Sequence, residues 1–265
     1  MNDSGVEHMP DAQASFRERL VRGDMLIGTF VKTPSPIVAE VLSLTGLDCL
    51  CLDAEHAPFD RLAIDGCVAM ARAEAMPALV RLPVAAPEQV LNALDCGATG
   101  VVAPHIRNAQ QAEAFARACR FGAGGRGYAG SPRAAAYTNR AMLDHIAISN
   151  RETVTIAQIE DPEAVEQIEA IAQVDGVDCL FVGRVDLTVG YGAASQDDPR
   201  VIAAVERVCA TGRANGRSVG MFLSRVDDIG HWRQRGANLF LVGSDHSFLL
   251  QGAADLAAKA HRAGG

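Results

Sequence analysis

Residues 50–60 read LCLDAEHAPFD, an apolar run that breaks abruptly into Asp53, Glu55 and His56. An imidazole, which titrates near neutral pH, set beside carboxylates is the equipment of general acid and base catalysis. The habit recurs along the chain: LVR ends in Arg81, TIAQI in Glu160, CLFVG in Arg184 and Asp186, and LFLVG in Ser244 and Asp245. Glu160 and Asp186 together form an oxygen-rich seat for a hard divalent cation. Mg2+ typically takes one or two protein carboxylates and leaves its other positions to substrate and water. Mn2+ or Co2+ tolerates the same ligands. The bland use of these acids is helix capping, and in Glu160-Asp161-Pro162 the better N-cap is Asp161. Arg81 needs an anion, because an unpaired buried guanidinium is costly; a substrate carboxylate or the neighbouring Asp53 and Glu55 would serve. For His56 the plain alternative is an incidental loop histidine.

Such residues act together only if one scaffold brings them to one rim. Strand-like runs begin at Met25, Asp48, Pro77, Gly100, Thr153, Val177, Arg217 and Asn238, eight in all. Between them lie segments with apolar spacing near 3.6, such as SPIVAEVLSLTG, PEQVLNALDCG, NAQQAEAFARACR and DPEAVEQIEAIAQV, many opening at Ser, Asp, Asn or Pro and stopping at Gly. Strands apolar throughout are buried on both faces, and their alternation with helices implies parallel βαβ units. Eight such units close most simply into a single (β/α)8 barrel of the TIM type, whose active sites sit at the C-terminal ends of the strands. An open doubly wound sheet is the runner-up. The expected organisation is an N-terminal extension and helix over residues 1–24, the barrel over 25–265, and a final helix in LLQGAADLAAKAHRAGG. One long interruption, GAGGRGYAGSPRAAAYTNRAMLDHIAISNR, separates strands four and five; loops of this length are usually functional or disordered. Its residues 122–127 match G-x-G-x-x-G by letter. They follow a helix instead of a strand, so the dinucleotide-binding context is missing.

Bulk properties narrow the partners. The chain has 265 residues, 49% hydrophobic, 21% charged and 5% aromatic, with a net charge of −8. That balance is ordinary for a soluble globular protein with an aliphatic core, and it argues against a nucleic-acid footprint of clustered Lys and Arg and for small-molecule partners. Seven scattered cysteines with no C-x-x-C spacing read as reduced core thiols. No apolar run reaches membrane-spanning length and no secretory signal is visible at the N-terminus, so a cytoplasmic location is expected.

Taken in order, LDAEHAPFD, LVRLP, LDCGATGVVAPHI, GRGYAGSPRA, AQIEDPEA, GVDCLFVGRVDLT and GSD resemble the HpcH/HpaI aldolases of the citrate lyase β superfamily. These are metal-dependent class II pyruvate aldolases on a modified (β/α)8 barrel. The resemblance spans roughly residues 28–245. It implies that Glu160 and Asp186 ligate a divalent cation (Mg2+, Mn2+ or Co2+), that Arg81 holds the enolate oxygen, and that His56 is the acid/base, acting through a metal-held water with Asp53 in support. It further implies that the backbone of Val185 and Asp186 cradles a pyruvate carboxylate, with Gly183, Arg184 and Phe30 at substrate-binding positions. Asp95 resembles an acid presented to a neighbouring subunit's site. The implied reaction is retro-aldol cleavage of a 4-hydroxy-2-oxo acid to pyruvate and an aldehyde. The implied assembly is a homo-oligomer, a hexamer built as a trimer of dimers, with the C-terminal helix exchanged between subunits. The chain departs from the family pattern at Phe30, where Trp is frequent, at Phe121-Gly122-Ala123, and at Arg184, where Pro is common. These departures bear on the substrate. They keep two rivals in play: a citrate-synthase-like condensation of oxaloacetate with acetyl-CoA, and a metabolite-binding paralogue without activity. Lys32 and Lys259 are the only lysines, and Lys32, at the end of strand one, is the sole candidate for an imine mechanism.

Overall fold

A strand that is apolar on both faces is stable only between two apolar layers, and a closed barrel supplies one inside and one outside. The computed structural model, which describes residues 14–264, shows this arrangement. Residues 1–13, most of the expected N-terminal extension, lie outside the described residues. The strands are β1 (Leu26–Val31), β2 (Cys49–Asp53), β3 (Ala78–Arg81), β4 (Gly100–Ala103), β5 (Val154–Ile159), β6 (Cys179–Val182), β7 (Ser218–Leu223) and β8 (Leu239–Ser244). All pair in parallel in sequence order, and β8 closes on β1. The open-sheet alternative is thereby excluded.

Side-chain alternation divides the core in two. Phe30, Cys51, Leu79, Val102, Ile156, Phe181 and Leu241 fill the barrel interior, while Leu50, Leu52, Val80, Val101, Leu180 and Val219 face outward into the ring of helices. All seven cysteines are free and buried, and burial pushes the Cys51 thiol up to about 12. The helix Phe16–Arg22 plugs the bottom of the barrel. Phe16 and Leu20 join the interior cluster, the carbonyl of Leu20 accepts from Ser218 Oγ at 2.7 Å and Asn238 Nδ2 at 2.9 Å, and Arg17 pairs with Asp178 at 2.7 Å. Closing the bottom leaves the opposite rim as the open end.

Three segments differ from expectation. The interruption between β4 and β5 contains a helix, Met142–Glu152, which begins at Ala141 without a side-chain cap and buries only His145, so neither capping nor periodicity announces it. A second unanticipated helix, Arg184–Gly190, starts immediately after β6. The last helix starts at Asp245 and runs to Gly264. Asp245 stitches β8 to the end of β1, its carboxylate accepting from the main-chain N–H of Lys32 at 2.8 Å and Thr33 at 2.9 Å. Beyond it the helix leaves the barrel, with Phe248, Leu249, Leu250 and Leu256 exposed. No helix among the described residues is long and apolar enough to cross a membrane.

Candidate active site

Because β2 and β3 run in register, Asp53 stands beside Arg81 at the same level of the barrel. Their side chains point into the mouth, where the Arg81 guanidinium reaches Asp53 Oδ1 through Nη2 at 2.8 Å and Nε at 3.0 Å. Lys32 Nζ lies 2.8 Å from the other Asp53 oxygen. Burial alone would raise the Asp53 carboxyl, but hydrogen bonding and charge from Arg81 and Lys32 outweigh it and hold the group below the usual carboxylate range. Arg81 is fixed further by the Phe30 ring, 4.5 Å from the guanidinium carbon to the centroid, and by Glu55, 3.4 Å from its Nε. Arg81 is thus a charged donor locked in orientation before any substrate arrives. Asp53 touches His56 only through the main-chain N–H, at 3.2 Å, so its side-chain work is to hold Arg81 and Lys32. The His56 ring is exposed on the rim, its Nε2 3.7 Å from Glu55 Oε2.

Glu160 follows β5 and is buried to 3% exposure. Gln158, two residues earlier on the same face, donates its amide to Glu160 Oε2, and the main-chain N–H of His105 donates to Oε1 at 2.8 Å. Across from it Gly183 is required by space: a Cβ there would lie 2.5 Å from the Glu160 Cβ and 2.9 Å from Oε2. Glu55, His105 and Glu160 each bring one potential ligand atom within 4.8 Å of the others. Within that group the Glu55 carboxyl is raised by burial and by the charge of Glu160, which outweigh Arg81 and the two histidines. A divalent cation relieves the repulsion of such paired carboxylates, so the donor set fits one. Asp186 is exposed in the first turn of the helix after β6, with no hydrogen-bond partner among the described residues, and lies outside this group.

His105 and Gln158 were not anticipated, although His105 obeys the strand-end rule that found the others. It sits beyond Pro104 with φ 54°, a left-handed conformation uncommon outside glycine. Asp161 occupies the N-cap position of the helix Pro162–Glu166 as expected, yet makes no capping bond. Its carboxylate instead meets His105 Nδ1 and Arg107 Nε, both at 3.1 Å.

A cavity of ≈ 240 Å³ opens at the mouth, walled by Phe30, Phe181 and Phe222 and carrying Lys32, His56, Arg81, Gln158, Gly183, Arg184, Val185 and Asp186, with Glu55, His105 and Glu160 outside its lining. It gathers the expected substrate-side residues in one place. Asp95 lies elsewhere, at the end of the helix Pro87–Asp95 on the outer wall, in a groove with Asp65 and Arg133.

The fold and site together define a (β/α)8 enzyme with a carboxylate-rich rim and a fixed arginine. The profile of the HpcH/HpaI aldolase/citrate lyase family matches residues 26–251. A hydroxypyruvate/pyruvate aldolase from Roseovarius nubinhibens is 33% identical over 254 residues, covering 95% of this chain and 98% of that one. A 5-keto-4-deoxy-D-glucarate aldolase from Shigella boydii is 31% identical over 242 residues, covering 91% and 93% respectively. Among solved structures, an HpcH/HpaI family protein from Burkholderia cenocepacia superposes with a TM-score of 0.88 at 33% identity, covering 92% of this chain and 98% of the other. The chain belongs to the HpcH/HpaI aldolase/citrate lyase family, and its activity is of the aldolase, carbon–carbon lyase, class.

Proposed function

We propose that the chain cleaves a 4-hydroxy-2-oxo acid bearing a second carboxylate to pyruvate and an aldehyde, as a divalent-metal-dependent class II aldolase. The observation that carries this reading is the fixed Arg81, which meets Glu55 of the Glu55–His105–Glu160 group and shares its cavity with the open carboxylate of Asp186. Glu160, oriented by Gln158 and the His105 main chain, and Asp186 hold the cation, with Glu55 and His105 beside them. When bound, Mg2+, Mn2+ or Co2+ supplies Lewis-acid stabilisation of negative charge on the 2-oxo acid. His56 takes the proton of the C4 hydroxyl. The C3–C4 bond then breaks, its electron pair passing to the C2 oxygen while C4 becomes the aldehyde carbon. Arg81 donates to the oxygen on which that charge develops, and protonation at C3 releases pyruvate. The main-chain amides of Val185 and Asp186 receive the pyruvate carboxylate, Gly183 leaves room for Glu160, and Phe30 packs beneath Arg81. Lys32 is committed to Asp53, which disfavours an imine route.

Arg184 identifies the kind of acid. It is 9% exposed on the cavity wall, its guanidinium carbon 5.1 Å from the Trp232 centroid, its Nε buried without a partner, and it makes no ion pair among the described residues. A guanidinium so placed fits a second, distal carboxylate of the substrate. Replacing Arg184 by Gln is expected to raise KM for diacid substrates about 10–100-fold, the loss of a charge-assisted hydrogen bond, and to leave monoacid substrates within about twofold. Equal losses on both kinds would remove Arg184 from substrate recognition.

Purified protein with Mg2+ or Mn2+ tests the reaction. EDTA-sensitive pyruvate release from 4-hydroxy-2-oxo diacids is expected; citrate from oxaloacetate and acetyl-CoA without aldol cleavage would overturn it. The assembly proposed is a cytoplasmic homo-oligomer, a trimer of dimers, in which the exposed apolar side of Asp245–Gly264 packs on a neighbour and Asp95 faces a neighbouring site. Light scattering reads its mass.

A further inference from the structure

The long segment between β4 and β5 builds a second cavity, which the catalytic reading does not use. It lies at the opposite, N-terminal end of the barrel, where Gly97, Ala98 and Thr99 lead into β4 and Thr153 into β5, and measures ≈ 140 Å³. Arg72, Arg126, Arg140 and His145 converge on it. Each arginine is anchored by a hydrogen bond to a neutral oxygen: Arg72 to the Gly97 carbonyl at 3.3 Å, Arg140 to the Ala134 carbonyl at 3.3 Å, and Arg126 to Ser149 Oγ at 2.8 Å. Among the described residues none of the three makes an ion pair. The one carboxylate on the wall, Glu152, is engaged by Arg151 at 2.7 Å. Arg126 is 7% exposed and stacks 4.0 Å from the Phe121 centroid; its Nε and His145 Nδ1 are buried without hydrogen-bond partners.

Converging guanidinia without a counter-charge repel one another, and a chain with 32 acids and only 24 Lys and Arg has carboxylates to spare for neutralising them. Here the charge of Asp95 acts on Arg126 alone, without an ion pair, and it is outweighed by burial. Burial, then the charge of Arg126 and Arg140, also depresses protonation of His145. We infer that this cavity is a binding site for a phosphate-class oxyanion, either the free ion or the terminal phosphoryl group of a small metabolite, held by the planar forks of Arg72, Arg126 and Arg140. Arginine forks match phosphate oxygens bidentately, and the small cavity admits a single such group. Because the site ties the inserted segment to the strand bases of β4 and β5, its occupant stabilises the fold and takes no part in the chemistry at the other rim.

The test is thermal unfolding and calorimetric titration of the full chain in its native assembly with inorganic phosphate, against chloride at equal ionic strength. Above saturation each tenfold rise in phosphate is expected to raise Tm by about 3–5 °C. Arg140→Gln should weaken binding about tenfold or more, as should Arg72→Gln, whose side chain is exposed and leaves folding intact. Arg184→Gln, which alters only the catalytic cavity, should keep the whole response. Glycerol phosphate run in parallel assigns the source: tighter binding than the free ion points to a phosphorylated metabolite, weaker to the ion itself. No saturable response, as when a carboxylate from a second copy fills the cavity, overturns the assignment. A response abolished by Arg184→Gln and untouched by Arg140→Gln does so equally, and neither result bears on the aldolase reading.

Discussion

Arg81→Ala is expected to lower kcat/KM for retro-aldol cleavage by about 10³-fold, the effect of deleting a preorganised donor aimed at developing negative charge. The cause is electrostatic. The guanidinium is held by Asp53 at 2.8 Å, by Glu55 at 3.4 Å and by the Phe30 face, so it needs no reorganisation when charge appears on the substrate oxygen. The variant also leaves Asp53 fully buried with Lys32 as its remaining cation. Removing one partner of a buried pair commonly costs about 3–5 kcal/mol, so melting must accompany kinetics. Lys32 moderates that loss, and a folded variant is expected with a lower Tm. Arg81→Lys does not restore the rate, because an ammonium cannot fork onto Asp53 while lying flat on Phe30. Turnover retained by a folded Arg81→Ala enzyme would remove Arg81 from the chemistry.

How much of this was visible in the residues follows from physics. The strands were legible because parallel barrel strands are buried on both faces, which forces runs such as CLCL and CLFV. Asp53, Arg81 and Glu160 were legible because polarity at the end of such a run has no packing explanation. His105 escaped because its run passes through Pro104 before turning, and only its left-handed backbone brings its main-chain N–H to Glu160. Glu55 was legible as a possible counter-charge for Arg81, which it meets, but its approach to Glu160 was not, since three-dimensional proximity leaves no periodic trace. The helix Met142–Glu152 was hidden for a related reason. It is held by His145 packing edge-on to Phe121 at 5.3 Å, a contact between segments, in place of a cap or an apolar stripe of its own.

The proposed metal seat of Glu160 and Asp186 yields the second large effect. Glu160→Gln keeps the shape of the side chain and removes its charge. It is expected to abolish tight Mn2+ binding in calorimetry and to lower kcat/KM about 10³-fold, since Lewis-acid stabilisation is worth several kcal/mol. Asp186→Asn should do the same: its carboxylate is open to the cavity and has no other partner among the described residues. His105→Ala separates this seat from its alternative. His105 Nδ1 already meets Asp161 at 3.1 Å, and its ring lies 3.3 Å from Glu160 Oε1, a placement suited to orienting a ligand. Loss of an orienting partner typically costs about 10–100-fold in affinity. A seat made of Glu55, His105 and Glu160 would reverse the order, with His105→Ala as damaging as Glu160→Gln and Asp186→Asn nearly silent. A hard cation choosing between an imidazole already hydrogen-bonded to an acid and a free carboxylate oxygen favours the oxygen, which is why Asp186 is the expected loss.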